Sequence, residues 1–346
     1  MVRLQLSWVL INPKFGEKSF RRLSMKRILL IVLMFSMIFS LVFGQGGTEK
    51  AAKPVAFDYP TKELTIIVGS GAGGATDIAM RVFVKYFQKH FPTAVNVINI
   101  GGAGGSVAIA ELNKRPVDGY TVLTQLSSMP LNHAIGTFSY TWEDFEPISG
   151  LFSGFMTTVV RSDSDIKTFA DFAKRVKEDK SFRYGVFTNS PSTGILLVLE
   201  DYLKVKMNVI DIPETGKQTE LLAGRLDGTS DFFAQMKPFI DSGDFRSLGV
   251  FVPERLKAYP DIPTFKEMGM DYSITTMMMG LLAPKGTPQE IVDFIDNAVR
   301  ETYEQEPGLL DDLNNLAYFP QYMDSKEYIG WLEPVFKDYV RFVDAQ

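Results

Sequence analysis

The sequence predicts an α/β protein of two lobes, each built on a parallel sheet with crossover helices. Three observations support this fold class. Short apolar runs alternate with amphipathic stretches of helical spacing, as expected where helices connect parallel strands. The alternation restarts midway, and two long apolar strands, predicted at 155–161 and 275–283, could cross between the lobes. With 346 residues, 45% of them hydrophobic, the chain is long enough for two lobes of ordinary size.

The first half of the chain predicts a strand, a glycine-rich loop and a helix, twice in succession. The apolar run 64–68 predicts a buried strand because it is short and ends in glycines. Apolar residues at helical spacing then predict a helix over 76–90. The next predicted elements are a strand over 95–100, a helix that ends near Arg115 and a strand over 120–126.

The second half repeats this pattern with shorter strands. Thr168 and Asp171 have the spacing of a capping box, which predicts a helix ending near residue 180. The series Thr287-Pro288-Gln289-Glu290 predicts a helix start with Thr287 as its N-cap. Further predicted elements are strands over 184–187, 209–212, 231–234 and 248–252, and helices from about Ser192, Gly216 and Ser325. The predicted lobes are therefore 58–161 together with 279–346, and 162–278.

The N-terminus has the features of a secretory signal over residues 25–44. Lys26 and Arg27 precede an apolar run, and Gly44 supplies a small residue at its end. A basic start, an apolar centre and a small-residue exit are typical of a cleavable signal. We expect export through the secretion machinery, cleavage by signal peptidase within 44–47, and a periplasmic or otherwise extracytoplasmic location. The same interpretation makes 1–24 an upstream extension and 45–57 a flexible tether. An uncleaved anchor is the alternative, although the run is slightly short for a membrane span.

Composition excludes several classes of function. Without residues 1–44 the chain has 29 basic and 40 acidic residues, a formal charge of −11. An acidic surface repels phosphate backbones, so we expect no nucleic-acid partner. The sequence has no cysteine, which excludes thiolate metal sites, disulfides and cysteine nucleophiles. It has two histidines and neither a G-x-S-x-G nor an H-E-x-x-H motif, so the residues that hydrolases and zinc enzymes of these types require are absent.

The segment 69–74 matches the pattern G-x-G-x-x-G between a predicted strand and a predicted helix. This is the local context of a dinucleotide site, but the motif alone is a weak signal. The second strand ends in Asn99-Ile100-Gly101 without the acid that would bind a ribose hydroxyl, and nicotinamide cofactors are scarce outside the cell. We therefore expect no cofactor. The glycines and the helix start that follows favour a small anion, held by backbone N–H groups. A tight turn with close helix packing is the structural alternative.

Seven short motifs stand in consistent order over residues 59–345. They are 59–62 (YPTK), 72–77 (AGGATD), 102–106 (GAGGS), 116–121 (PVDGYT), 221–227 (LLAGRLD), 259–264 (YPDIPT) and 280–288 (GLLAPKGTP). Together they resemble one family, the Bug-type extracytoplasmic solute receptors of tripartite tricarboxylate transporters. The resemblance implies a periplasmic-binding-protein fold of type II. In this clamshell the ligand lies between two lobes, which two hinge strands connect.

The resemblance also implies that ligand carboxylates are held largely by backbone amides and waters, with one site in each lobe. The matching positions of the first lobe are Ser70, Gly71, Ala72, Gly73, Gly74, Thr76 and Asp77. Those of the second are Thr188, Asn189, Ser190, Ser192 and Thr193, just before a helix start. Here Thr188 and Ser190 replace glycines of the family pattern, and Gly194 stands where a histidine is common.

Five other positions complete the candidate site. Glu214 and Thr215 depart from the family's Tyr-Lys-Gly type of sequence, and an acid there would oppose a fully anionic ligand or pair with an amino group. Ser127 and Ser128 follow the third predicted strand, at the edge of the sheet where ligands tend to lie. Asp231 either faces the cleft or forms a cap or salt bridge. For Asp77, the alternative to a binding role is a favourable interaction with the helix dipole.

These observations predict a binding protein rather than an enzyme. We expect it to capture a small organic carboxylate between its lobes and to deliver it to integral-membrane transporter subunits. A ligand sensor of the same fold, which presents the carboxylate to a membrane signalling protein, is the alternative. A secreted enzyme is a more remote one. No metal site is expected.

Overall fold

The computed structural model describes residues 58–345, except 125–127, 214–215 and 271–275. The predicted upstream extension 1–24, the signal 25–44 and the tether 45–57 lie outside the described residues. These three predictions therefore stay predictions. Within the described residues, no helix combines the length and the apolar character that a membrane span requires.

The described residues form ten strands and ten α-helices. The strands are β1 (Leu64–Val68), β2 (Val95–Asn99), β3 (Thr121–Thr124), β4 (Phe145–Arg161), β5 (Arg183–Val186), β6 (Asn208–Asp211), β7 (Gly228–Phe232), β8 (Phe245–Val250), β9 (Thr276–Pro284) and β10 (Phe319–Met323). The helices are α1 (Ala75–Phe87), α2 (Ser106–Leu112), α3 (Met129–Ala134), α4 (Phe169–Glu178), α5 (Pro191–Leu203), α6 (Lys217–Leu222), α7 (Phe233–Asp241), α8 (Gln289–Gln305), α9 (Pro307–Asn315) and α10 (Ser325–Asp344).

The strands form two parallel units of the same design. In the first lobe β1 lies between β2 and β3 and is parallel to both. In the second lobe β5 lies between β6 and β7, again parallel to both. Each central strand is followed by a loop and a long helix, α1 after β1 and α5 after β5. The predicted α/β fold of two lobes is confirmed, and both loops lie where an open parallel sheet binds its ligands.

Strand β4 connects the two units. It is 17 residues long and pairs antiparallel with β9 over its first part, from Phe145 to Phe155. Over its last part it pairs with β7 and β8. The sequence predicted a strand only from residue 155, ten residues too late. Pro147, Gly150 and Gly154 weaken the strand signal of the preceding segment. The β4–β9 register shifts next to the first two, so they mark irregular positions within a continuous strand.

Two local predictions were wrong. A strand was predicted over 231–234, but β7 ends at Phe232 and a helix starts at Phe233. Asp231 therefore lies near the end of the strand rather than at its beginning. Thr287 was predicted as an N-cap, yet helix α8 begins at Gln289 without a side-chain cap. The Thr287 hydroxyl instead donates to the Pro284 carbonyl at 2.8 Å and stabilises the turn before the helix. The capping box of Thr168 and Asp171 is confirmed.

Candidate functional site

A cavity of about 70 Å³ lies between the lobes, beyond the carboxyl ends of β1 and β5. Its lining comes from both lobes. From the first lobe come Gly69, Ser70, Ala75, Thr76, Gly102, Gly104, Gly105 and Ser128. From the second come Phe187, Asn189, Ser190, Pro191, Ser192, Lys217, Asp231, Phe232 and Gln235. The volume accommodates a small solute and is well below the roughly 300–1,000 Å³ of pockets for drug-sized ligands.

The first-lobe wall combines a serine with the start of a long helix. The Ser70 Oγ atom is buried and has no hydrogen-bond partner among the described residues. Helix α1 starts at Ala75, and the first N–H groups of a helix have no acceptor within it. These donors and the partial positive charge of the helix start favour an anionic group in the cavity. The Tyr318 hydroxyl donates to the Ala75 carbonyl at 2.8 Å and so holds this helix start in place.

Asp77 holds the glycine loop before α1 by hydrogen bonds, and its side chain is almost fully buried. Its carboxylate accepts hydrogen bonds from the Gly73 N–H at 2.8 Å, from Arg81 Nε at 2.8 Å and from Asn99 Nδ2 at 3.0 Å. Asp77 does not line the cavity. The structure therefore places it as a positioning residue, which holds the loop in shape while Arg81 offsets its charge.

The second-lobe wall is formed by the loop between β5 and α5. Ser190 is the N-cap of α5, and its Oγ accepts from the Ser192 N–H at 3.2 Å. The Ser192 Oγ in turn accepts from the Phe187 N–H at 3.1 Å. Asn189 has a left-handed backbone with φ of 61°, which asparagine tolerates better than most residues. These contacts order the loop, and Phe187, Asn189, Ser190, Pro191 and Ser192 line the cavity.

A buried ion pair lines the cavity on the side of the second lobe. Lys217 and Asp231 are 2% and 5% exposed, and Lys217 Nζ lies 2.8 Å from Asp231 Oδ2. The Phe232 N–H donates to Asp231 Oδ1 at 2.8 Å. The Gln235 amide fits its neighbours when its nitrogen faces Asp231 at 3.2 Å and its oxygen accepts from the Ala75 N–H at 2.7 Å. A chain of polar contacts thus runs from the second lobe to the start of α1.

The lobes also touch directly beside the cavity. Asn132 is fully buried, and its Nδ2 donates to the Asn189 carbonyl of the other lobe at 2.9 Å. Gly104 fits between them with φ of 64°. A Cβ atom at this position would lie 2.8 Å from both Asn132 Nδ2 and the Asn189 oxygen. The contact therefore requires glycine here, because any side chain would push the lobes apart.

The cavity brings together part of the predicted site. The predicted residues that line it are Ser70, Thr76, Ser128, Asn189, Ser190, Ser192 and Asp231. The predicted residues that do not line it are Gly71, Ala72, Gly73, Gly74, Asp77, Thr188 and Thr193. Thr188 turns away to donate to Asp211 Oδ1 at 2.8 Å, and Thr193 donates to the Phe187 carbonyl at 3.1 Å. Ser127, Glu214 and Thr215 lie outside the described residues.

Comparison with known proteins shows the family to which the chain belongs. The model of the tripartite tricarboxylate transporter family receptor, TctC, matches residues 79–341. The chain belongs to this receptor family. The UPF0065 protein in the gbd 5′ region of Cupriavidus necator is 30% identical over 291 residues, which cover 82% of this chain and 87% of that protein. The family resemblance predicted from the sequence is thereby confirmed.

Solved structures show the same fold for this receptor. A TctC solute-binding protein from Polaromonas is 27% identical with a TM-score of 0.65, over 84% of this chain and all of that chain. MatC from Rhodopseudomonas palustris, solved with bound malate, is 23% identical with a TM-score of 0.75, over 82% of this chain and all of that chain. The clamshell fold of a solute-binding receptor is confirmed.

The sequence did not predict two residues that line the cavity of the receptor, Lys217 and Gln235. Both affect the charge and polarity of the cavity. Lys217 opens helix α6, where a cation is unfavourable with respect to the helix dipole. A lysine at such a position is a signal of another role, and here it is the partner of Asp231. Gln235 gave no local signal, because its contact with Ala75 joins residues far apart in sequence. Within the described residues, no group of three or more histidines, aspartates or glutamates is arranged to hold a metal ion.

Proposed function

We propose that this receptor captures a small organic carboxylate between its lobes, outside the cytoplasm, and delivers it to integral-membrane transporter subunits. The observation that carries the proposal is the buried Ser70 hydroxyl, which has no partner among the described residues and borders the cavity beside the start of α1. A carboxylate oxygen placed there accepts from the hydroxyl and meets the positive end of the helix.

Local attraction is needed because the chain after residue 44 has a formal charge of −11. Long-range electrostatics therefore repel an anion, and binding relies on short-range donors in a site that excludes water. Each hydrogen bond to a charged group contributes about 1.5–3 kcal/mol. Two to three such bonds, together with lobe closure, give a binding free energy of about −8 kcal/mol, which corresponds to a micromolar Kd.

Two further observations support the proposal. The family is named for receptors of tricarboxylate transporters, and MatC was solved with bound malate, a small dicarboxylate. The predicted signal over 25–44 fits capture outside the cytoplasm. We also propose lobe boundaries of 58–161 with 279–346, and 162–278, which place the glycine loop in one lobe and the Thr188–Thr193 loop in the other. Binding proceeds without chemical change of the ligand.

A ligand screen tests the proposal. The purified protein is heated with mono-, di- and tricarboxylates, aromatic acids and, as controls, uncharged analogues of the same size. We expect at least one carboxylate to raise the Tm by several degrees, its analogue without a carboxylate to have no effect, and mass spectrometry to recover the ligand unchanged. A flat response to every carboxylate would refute carboxylate capture.

The transporter partner is tested separately. Uptake of the ligand found in the screen is measured in cells that carry the candidate transporter subunits, with and without the receptor. Uptake that depends on the receptor supports delivery to a transporter. Uptake that is unchanged by loss of the receptor contradicts it and favours the sensor of the same fold. N-terminal sequencing of the exported protein tests cleavage within 44–47.

A further inference from the structure

The cavity contains a matched pair of opposite charges on one side. Among the described residues that line it, Lys217 and Asp231 are the two with charged side chains. Both are almost fully buried and lie 2.8 Å apart, so their charges cancel locally. The ion pair therefore leaves this wall polar but without net charge.

The ion pair does not use all of its hydrogen-bonding capacity. Lys217 has three N–H donors. One contacts Asp231, and a second contact reaches the Ser230 carbonyl at 3.4 Å. A donor of Lys217 is thus left for a further acceptor. Asp231 accepts from Lys217 and from the Phe232 N–H, and also from Gln235 when its amide nitrogen faces Asp231, so it is a well-anchored acceptor beside that donor.

A charged group on the ligand gains little from this wall. A carboxylate there is attracted by Lys217 and repelled by Asp231, and it must leave water without a net counter-charge. An ammonium group meets the same cancellation with the signs reversed. A hydroxyl or carboxamide instead accepts from Lys217 and donates to Asp231, and it satisfies both without adding charge.

We propose that the ligand carries a single carboxylate and, at its other end, a neutral hydrogen-bonding group that Lys217 and Asp231 recognise together. The proposal rests on the proposed function, because it assigns the carboxylate to the wall formed by Ser70 and the start of α1. It adds the specificity of the opposite wall and makes Lys217 a residue that determines ligand choice. Fully anionic dicarboxylates are disfavoured at this site.

Matched ligands that differ at one end test the proposal. Affinities are measured by calorimetry for succinate, succinamate and 4-aminobutyrate, and for adipate and its monoamide, at pH 7.5. We expect at least one monoamide to bind at least tenfold more tightly than its dicarboxylate, and 4-aminobutyrate to bind no better than succinate. Equal or tighter binding of both dicarboxylates, or no binding of either monoamide, overturns the inference.

A charge-removing variant provides the second measurement. Asp231→Asn leaves Lys217 as an unbalanced cation, so we expect succinate and adipate to gain at least tenfold in affinity and the preference for the monoamides to disappear. Asp241→Asn is the matched control, because Asp241 pairs with Lys237 on the same lobe and does not line the cavity. An unchanged preference in Asp231→Asn contradicts the role of the ion pair.

The proposed function and the assignment of the neutral end of the ligand fail in different ways. If no carboxylate of the broad screen raises the Tm, the proposed function falls. If dicarboxylates bind and the monoamides do not, the receptor still captures carboxylates and only the assignment of the neutral end is wrong. The comparison of matched ligands in the unaltered protein does not depend on whether the variants fold.

Discussion

The contact between the lobes at Gly104 provides the sharpest test of closure. In Gly104→Ala the new Cβ atom would lie 2.8 Å from Asn132 Nδ2 and from the Asn189 carbonyl oxygen. The two groups that it strikes are the donor and acceptor of the direct hydrogen bond between the lobes. The carbonyl is backbone and cannot rotate away. The closed state must therefore open slightly and lose this bond.

The size of the effect follows from that lost bond. A buried polar group without its partner costs about 1–3 kcal/mol. In the proposed capture, lobe closure accompanies ligand binding, so the loss falls on the bound state and weakens affinity by about 5- to 150-fold. The left-handed backbone adds about 1–2 kcal/mol of strain for alanine, but this strain is present with or without ligand. It lowers the Tm and leaves the affinity unchanged.

Gly136→Ala separates the two effects. Gly136 has a similar φ of 75° and lies in the same lobe, and a Cβ there would meet nothing within 4 Å. Calorimetry with the ligand from the screen and thermal unfolding without ligand are measured for both variants. We expect a similar fall in Tm for the two, and a loss of affinity for Gly104→Ala alone. Unchanged affinity in Gly104→Ala would refute the closure argument.

Two further predictions concern single side chains. Ser70→Ala removes a buried hydroxyl that has no partner among the described residues. We therefore expect an unchanged Tm without ligand and, by calorimetry, about tenfold weaker carboxylate binding. A lower Tm with unchanged affinity would contradict this role. Asp296 accepts from Ser149 and Tyr322, and burial raises the pKa of its carboxyl above the usual 3.8. Because the folded state binds this proton more tightly than the unfolded state, the site stabilises the fold at low pH, and that contribution is lost as pH rises through the raised pKa. Urea unfolding from about pH 4 to 7 should therefore show the stability of the unaltered protein declining relative to that of Asp296→Asn, and a difference that stays constant with pH would contradict the prediction.

Local sequence signals predicted much of the fold. The apolar run of β1, the glycines after it and the helical spacing of α1 are all features of neighbouring residues, and the structure has them within a few positions. The capping box at Thr168 is local in the same sense. The start of β4 was missed because Pro147 and the glycines near it interrupt the pattern. Its strand conformation comes from pairing with β9, more than a hundred residues away.

The candidate site shows the same division. Ser70 was found because it lies in the glycine loop before a helix start that the sequence itself indicates, and Ser190 because the family resemblance implies a second loop before a helix start. Lys217, Asp231 and Gln235 were not recognised as a connected set, since their geometry depends on how α6, β7 and α7 pack together. Gly73 and Asp77 were predicted near the ligand but hold the loop from outside the cavity. The sequence pattern located the glycine loop but did not show which of its residues face the cavity.

Strand β4 couples the stability of one lobe to that of the other. One continuous backbone supplies pairing partners to β9 and β10 in the first lobe and to β7 and β8 in the second. Melting of either lobe removes neighbours from the other, so partial unfolding is costly on both sides. Unfolding by heat, or the opening that proteolysis requires, then has one free-energy barrier that both lobes share. A receptor with one lobe folded and the other unfolded is therefore disfavoured by this architecture.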